Sequence, residues 1–423
     1  MKRKIENILF LFLIVIVGIY LRQRQWNDYL IYPDSYRYLL TNSSILICGK
    51  PFFCALINLL SLLPGDLRFW ARALSLLASI ISIPLVYLFL NRQKQNGLLG
   101  AALLALSFVV VSWSSFIVPD FLAISFFLLF LLSYKNYFGP VMLLLTCLIR
   151  PEYFLLFIPA ALFLAKDKIT RFFYGSFFIV ASAAAMYFNK DQLQLFHFPF
   201  KFLPPITLVN LLMFDFAISL FALLGIVLVF AQKKWNRITN FFLFQIVIFA
   251  FIYFLINPLN WRYAVNLVIP LIYFASFFCN FLFNKYKYKI KAKNFYLPTA
   301  LAVLFLQFLV TFVGIKANIP DTNYESLVVK KSQDLAIIAG LDPQRLATSF
   351  PEAAKLETGK EAIDPINGEL RKNDLLIFDP VLQNKGFSVG DNLYQVGKFD
   401  VNAIYYRGAK KYFGGSVVVY IVK

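Results

Sequence analysis

Charge is what this sequence has least of. Only 15% of its 423 residues are charged, where soluble domains carry about 25%. Acidic residues are the scarcest, 22 against 41 basic ones. There is a single histidine, His197, and the four cysteines Cys48, Cys54, Cys147 and Cys279 include no CxxC pair. That excludes a structural zinc site built on clustered Cys and His. No P-loop and no dinucleotide fingerprint is present, so no nucleotide is expected. Internal repeats and low-complexity linkers are also lacking, and inverted repeats are the usual mark of transporters.

What fills the space instead is apolar. The chain is 60% hydrophobic and 18% aromatic, with a mean hydropathy of +0.69. A bilayer core about 30 Å thick needs about 20 apolar residues per helical crossing, and many segments approach that length. The net charge of +19 does not point to nucleic acid. The last part of the chain, from Ile319, holds 13 acidic and 13 basic residues and is neutral. The excess sits in short loops between apolar runs, the pattern that sets membrane orientation rather than one that binds a phosphate backbone.

The sequence predicts an all-α polytopic bundle of about eleven transmembrane helices over residues 1–316 and a small soluble α/β domain over 317–423. The first span runs from Ile5 to Leu21, behind Met1-Lys-Arg-Lys4; without a small-residue cleavage site it reads as an uncleaved helix with a cytoplasmic N-terminus. Surface helices are expected at Ser35–Ile47 and Phe52–Leu63. Further spans follow at Phe69–Leu90, Gly97–Trp113 and Pro119–Ser133. Tyr137–Ala165 is interrupted by Arg150-Pro151-Glu152, and proline breaks helices, so it reads as two short helices turning at the outer face. The remaining spans are Phe172–Tyr187, Ile206–Ala231, one ending at Ile256, one ending near Asn284, and Phe295–Ile315. In the tail, Tyr324–Ile338 reads as an amphipathic helix, and Asp374–Phe378, Phe387–Phe399 and Ser416–Val422 as strands. With this topology the inner loops hold 17 basic and 2 acidic residues, the outer side 11 and 7. Lys and Arg set orientation while Asp and Glu contribute little, so carboxylates gathered on one face suggest a polar site there.

Several residues on that face carry alternative readings. Asp34, in Tyr32-Pro-Asp-Ser-Tyr36-Arg37, sits where an N-cap carboxylate would sit; it also suits a general base. Asp120 opens an otherwise apolar helix, as a cap or as a functional rim carboxylate. Arg150 either pairs with Glu152 or grips a phosphate through its fork. Arg262, beside Tyr263, is a phosphate ligand or an interfacial anchor. His197 is an ordinary interfacial side chain or, on weaker grounds, a metal ligand or catalytic base, and Lys201 reads as a phosphate or headgroup contact. Asp215, two turns into its helix, is a partner for an arginine or part of an acidic site. Cys48 and Cys54 share an outer loop and are either disulfide-bonded or free.

The order of Tyr32-Pro-Asp34-Ser-Tyr36-Arg-Tyr38-Leu-Leu40 after the first helix, Pro119-Asp120, Leu148-Ile-Arg150-Pro151-Glu152 and Trp261-Arg262-Tyr263 with Pro270 resembles the GT-C superfamily of polytopic glycosyltransferases. These include protein mannosyltransferases and the aminoarabinose transferases of lipid A. The resemblance spans roughly Ile5–Ile315. It implies inverting transfer of a sugar from a polyprenyl-phosphate carrier to a lipid, glycan or protein acceptor. Asp34 is then the implied base and Asp120 the second acidic residue, with Tyr36, Arg37, Arg150, Glu152, Lys201, Arg262 and Tyr263 around the substrates. Many relatives have an acidic pair in the first loop; the second position here is Ser35. No cofactor is therefore expected, a divalent metal being compatible but not indicated. The implied place is a bacterial inner membrane with the tail on the non-cytoplasmic side. The competing reading is a transporter or flippase for a lipid-linked or anionic solute.

Overall fold

The computed structural model describes residues 2–24, 38–40, 50–114, 116–188, 215–256, 264–286, 304–313, 324–384, 386–390, 392–406 and 411–423. Two compact units emerge, Met1–Trp26 with Ser44–Ala317, and Asn27–Ser43 with Asn318–Lys423.

The first unit is helical. Its described helices are α1 (Lys2–Gln23), α2 (Pro51–Leu60), α3 (Leu67–Arg92), α4 (Gly97–Leu106), α5 (Phe108–Ser114), α6 (Asp120–Ser133) and α7 (Phe138–Ile149). The irregular run α8 (Pro151–Leu164) follows, then α9 (Lys168–Phe188), α10 (Phe216–Gln232), α11 (Arg237–Ile256) and α12 (Val265–Tyr286), and α13 (Leu304–Val313). Local chemistry sets several starts. Asp66 caps α3 by accepting from the Arg68 amide at 2.8 Å. Asn96 caps α4 through the Leu99 amide at 3.1 Å.

Four of these helices are long and apolar enough to cross a membrane: Ile5–Gln23, Leu67–Arg92, Lys168–Tyr187 and Val265–Leu282. A fifth crossing results if α4 and α5 count as one. α1 exposes Ile8, Phe10 and Phe12, α9 exposes Phe172, Ile179 and Met186, and α10 exposes Leu223, Val227 and Phe230. Water does not tolerate apolar faces of that extent; these are the faces of a membrane protein. The other apolar helices, with α11 counted over Arg237–Ile252, run 10 to 17 residues, around or below the length of a straight crossing.

Gly97–Trp113, expected as one helix, is bent by 55° between α4 and α5. The break at Arg150 occurs where expected. Pro151 denies its neighbour the helical region, and Arg150 is extended at φ −135°, ψ 98°. Beyond it the backbone winds as a 3-10 turn to Leu156, one helical turn, then a π turn to Leu164.

The second unit packs α14 (Tyr324–Ile338) and α15 (Pro351–Thr358) on a five-stranded sheet of order β2-β1-β3-β5-β4. Its strands are β1 (Arg345–Ala347), β2 (Glu361–Ile363), β3 (Leu375–Phe378), β4 (Leu393–Tyr406) and β5 (Lys411–Val422), with a short α16 (Pro380–Asn384). β1 runs parallel to β2 and β3, and β5 antiparallel to β3 and β4. Val328, Val329, Leu346, Leu375, Ile377, Val417 and Val419 make its core. Arg345 forks onto both oxygens of Asp374 at 2.9 and 2.5 Å. Expected α14 and the three longer strands are present; β1 and β2, three residues each, carry too little pattern to be read.

Candidate functional site

Asp120 and the Arg150-Pro151-Glu152 turn come from two separate stretches of sequence and meet inside the helical unit. Asp120 is the first residue of α6, after Pro119, and is fully buried. Its carboxylate does not act as a cap; Oδ1 lies 3.4 Å from Arg150 Nη1. The Arg150 Nη2 pairs with Glu152 Oε1. Arg150 is 1% exposed, so a turn at this position does not keep the charge in water. An unpaired buried ion costs several kcal/mol, and two carboxylates flanking one guanidinium offset that cost.

Tyr153 and Asn266 complete the cluster. The Tyr153 hydroxyl donates to Asn266 Oδ1 at 3.1 Å, and Asn266 Nδ2 donates to Glu152 Oε1 at 3.3 Å. Gln245 Nε2 holds the Asn266 carbonyl at 3.1 Å. Lys50, at the start of α2 and nearly buried, adds a positive charge that acts on Glu152. With Lys50 the group balances two cations against two carboxylates. Rings wall it off: Phe127 and Phe249 each lie 5.4 Å from Tyr153, centroid to centroid. The Glu152 side chain, at 18% exposure against 1% for Arg150 and none for Asp120, is the member of the triad that reaches the surface. The arrangement presents one carboxylate outward, held by a guanidinium and an amide. It suits hydrogen bonding to hydroxyls. A cation coordinated between the two carboxylates would need the space the Arg150 guanidinium occupies. Among the described residues no group of three or more His, Cys, Asp or Glu could hold a metal ion.

No family model and no curated protein matches the sequence. Among solved structures the chain is similar to an oligosaccharyltransferase from Archaeoglobus fulgidus, crystallised as a complex with Zn and sulfate. The TM-score is 0.54 at 13% identity, over 84% of this chain. The fold is GT-C-like. The match covers 62% of that longer chain, and at this identity the likeness is one of fold alone.

Of the other residues singled out in the sequence, Asp34, Tyr36, Arg37, His197, Lys201, Arg262 and Tyr263 lie outside the described residues, as does Cys48. Cys54 is disulfide-bonded, while Cys147 and Cys279 are free thiols. Asp215 is not two turns into a helix. It immediately precedes α10, fully buried, and its carboxylate pairs with no arginine among the described residues but receives the hydroxyl of Ser107 and the amide of Phe108, each at 2.7 Å.

Sequence reasoning missed Lys50, Tyr153, Asn266 and Arg22 as members of polar clusters. Asn266 has no local signal, being one amide in an apolar helix. Arg22 had one: a cation at the end of an apolar run. It is fully buried, with Nε donating to Ser79 Oγ at 2.8 Å and Nη1 to the carbonyls of Gly18 and Ala105 at 3.0 and 3.2 Å.

Proposed function

We propose that the protein is an inverting glycosyltransferase, a hexosyl- or pentosyltransferase, that moves a sugar from a polyprenyl-phosphate carrier to an acceptor hydroxyl at the outer membrane face. The observation that carries this reading is the buried Asp120–Arg150–Glu152 cluster inside a membrane-embedded helical unit of GT-C-like fold. Ionisable groups at such a place are functional by default. A lipid-linked donor reaches its enzyme sideways from the bilayer, which accounts for so hydrophobic a chain. In this reading the shorter apolar helices complete a bundle of about eleven crossings, the N-terminus is cytoplasmic in a bacterial inner membrane, and residues 317–423 lie on the other side.

Asp34 takes the proton of the acceptor hydroxyl. The acceptor oxygen then bonds to the anomeric carbon from the face opposite the phosphate. The bond from that carbon to the phosphate oxygen breaks, and polyprenyl phosphate leaves as the anion. This is the geometry of inverting glycosidases with a phosphate as leaving group. Lys201 and Arg262 stabilise the departing charge, with Tyr36, Arg37 and Tyr263 lining the substrates. Glu152 accepts hydrogen bonds from sugar hydroxyls. Arg150 and Asp120 act through Glu152, fixing where its carboxylate points.

The broken helix α4–α5 is also a device of transporters, whose open half-helix ends bind solute. Here those ends are met by Arg22 and Asp215, which favours the enzyme. The test gives purified full-length protein, in vesicles, a polyprenyl-phosphate sugar with a fluorescent lipid. Stoichiometric release of polyprenyl phosphate is expected. Intact donor that merely exchanges between leaflets would overturn the enzyme in favour of a flippase.

A further inference from the structure

The bend at Ser107 splits a membrane-embedded helix, and a split helix leaves orphan carbonyls on one side and orphan amides on the other. In a dry interior every one of them must find a partner. Residues 83 to 205 positions away supply most of these partners. On the carbonyl side, Thr311 Oγ1 donates to the Leu106 carbonyl at 2.5 Å and Gln307 Nε2 to the same oxygen at 3.3 Å. Arg22 Nη1 donates to the Ala105 carbonyl. On the amide side, Asp215 accepts from Phe108 N at 2.7 Å, Val109 N at 3.4 Å and Ser107 Oγ at 2.7 Å. Gln307 Nε2 also reaches Asp215 Oδ1, at 2.9 Å, and so ties the two sides together.

The signs are ordered. Helix carbonyl ends are negative and amide ends positive. The cation Arg22 lies at the carbonyl end of α4, and the anion Asp215 at the amide end of α5. Both are fully buried; among the described residues no carboxylate pairs with Arg22, whose guanidinium is held by the Ser79 hydroxyl and the carbonyls of Gly18 and Ala105. What the clamp holds is α5, seven residues buried on every side. From α5 the chain runs directly to Val118, whose amide and carbonyl both bond Ser75 Oγ, at 3.2 and 3.0 Å. Asp120 and its link to Arg150 follow.

We propose that Arg22 and Asp215 form a charge clamp on this helix break, and that Asp215 is a positioning residue for the Asp120–Arg150–Glu152 cluster. The clamp stands on the geometry alone; its effect on turnover rests on the transferase reading above. The test uses the full chain with the free thiols Cys147 and Cys279 replaced by alanine. A cysteine reporter replaces Ser114, buried at the end of α5, and a control reporter replaces Ser276, buried in α12. Asp215→Ala is expected to speed maleimide labelling at position 114 by about tenfold or more through local opening, with position 276 unchanged. Asp215→Asn keeps one acceptor oxygen, loses the charge and serves if the alanine variant fails to fold. It should label faster than the wild type, and adding Arg22→Gln should slow labelling again by removing the uncompensated cation. Unchanged labelling at 114, equal acceleration at both positions, or a double variant that labels faster still would each overturn the clamp. These readouts need no turnover, so they stand even if no donor is cleaved. Where turnover is seen, Asp215→Asn should lower kcat by up to about 100-fold, as small misplacements do, with KM little changed. A kcat equal to wild type would overturn the positioning role while leaving the clamp.

Discussion

A guanidinium in a dry interior is stable only with its charge answered, and Arg150 is answered twice. Asp120 takes Nη1 and Glu152 takes Nη2, a geometry open to a planar fork and not to an ammonium. Arg150→Met would leave the buried Asp120 carboxylate without its guanidinium. The expected loss is about 3–5 kcal/mol, read as a lower unfolding midpoint in detergent, with Arg150→Lys recovering only part of it. Full recovery by lysine would show that the fork is not needed. At this scale the sequence was legible where charge stood alone in apolar surroundings: Asp120, Arg150 and Glu152 could be picked out one by one. It was not legible where a partner is an ordinary amide or hydroxyl on a distant helix. Asn266, 114 positions from Glu152, leaves no mark near either end.

Helix positions and breaks follow different rules. Pro151 announces the break at Arg150, because proline removes a donor and constrains the residue before it. Ser107 announces nothing: a serine in an apolar run reads as helix, and the partners of the bend, Arg22, Asp215, Gln307 and Thr311, are brought in by the fold. Close packing is equally silent until helices are placed. A Cβ on Gly225 of α10 would overlap the Phe274 carbonyl oxygen of α12. Gly225→Ala must therefore push the two backbones apart, at about 1–3 kcal/mol, and should lower the thermal midpoint; an unchanged midpoint would mean the contact is looser than drawn. Outside the membrane, α9 begins at a cap. The exposed Asp167 carboxylate accepts from the Thr170 amide at 2.6 Å, and this backbone hydrogen bond holds its pKa below the usual carboxylate range. A depressed pKa stabilises the folded state above the unfolded value, about 3.9, and that support is lost as pH falls through the folded value. Hydrogen exchange at the Thr170 amide should accelerate below about pH 4, and should be insensitive to pH there in Asp167→Ala beyond intrinsic chemistry.

For the whole molecule, composition alone separated an apolar helical part from a neutral, strand-bearing tail, because hydropathy and charge balance are bulk properties. Strand order in the tail was beyond it: β1 and β2 pair parallel over three residues each, and nothing so short fixes its neighbour. The proposed transfer, too, draws on stretches far apart in sequence, with Asp34 as its proposed base and Glu152 as its proposed sugar contact. The most direct measurement is polyprenyl phosphate released per minute by full-length protein from a polyprenyl-phosphate sugar, wild type beside Asp34→Asn. The account predicts steady release by the wild type and a loss of about 100-fold or more in the variant, as for removal of a general base, with an unchanged unfolding midpoint. Equal turnover by the two proteins, or none by the wild type with any such donor, would contradict it.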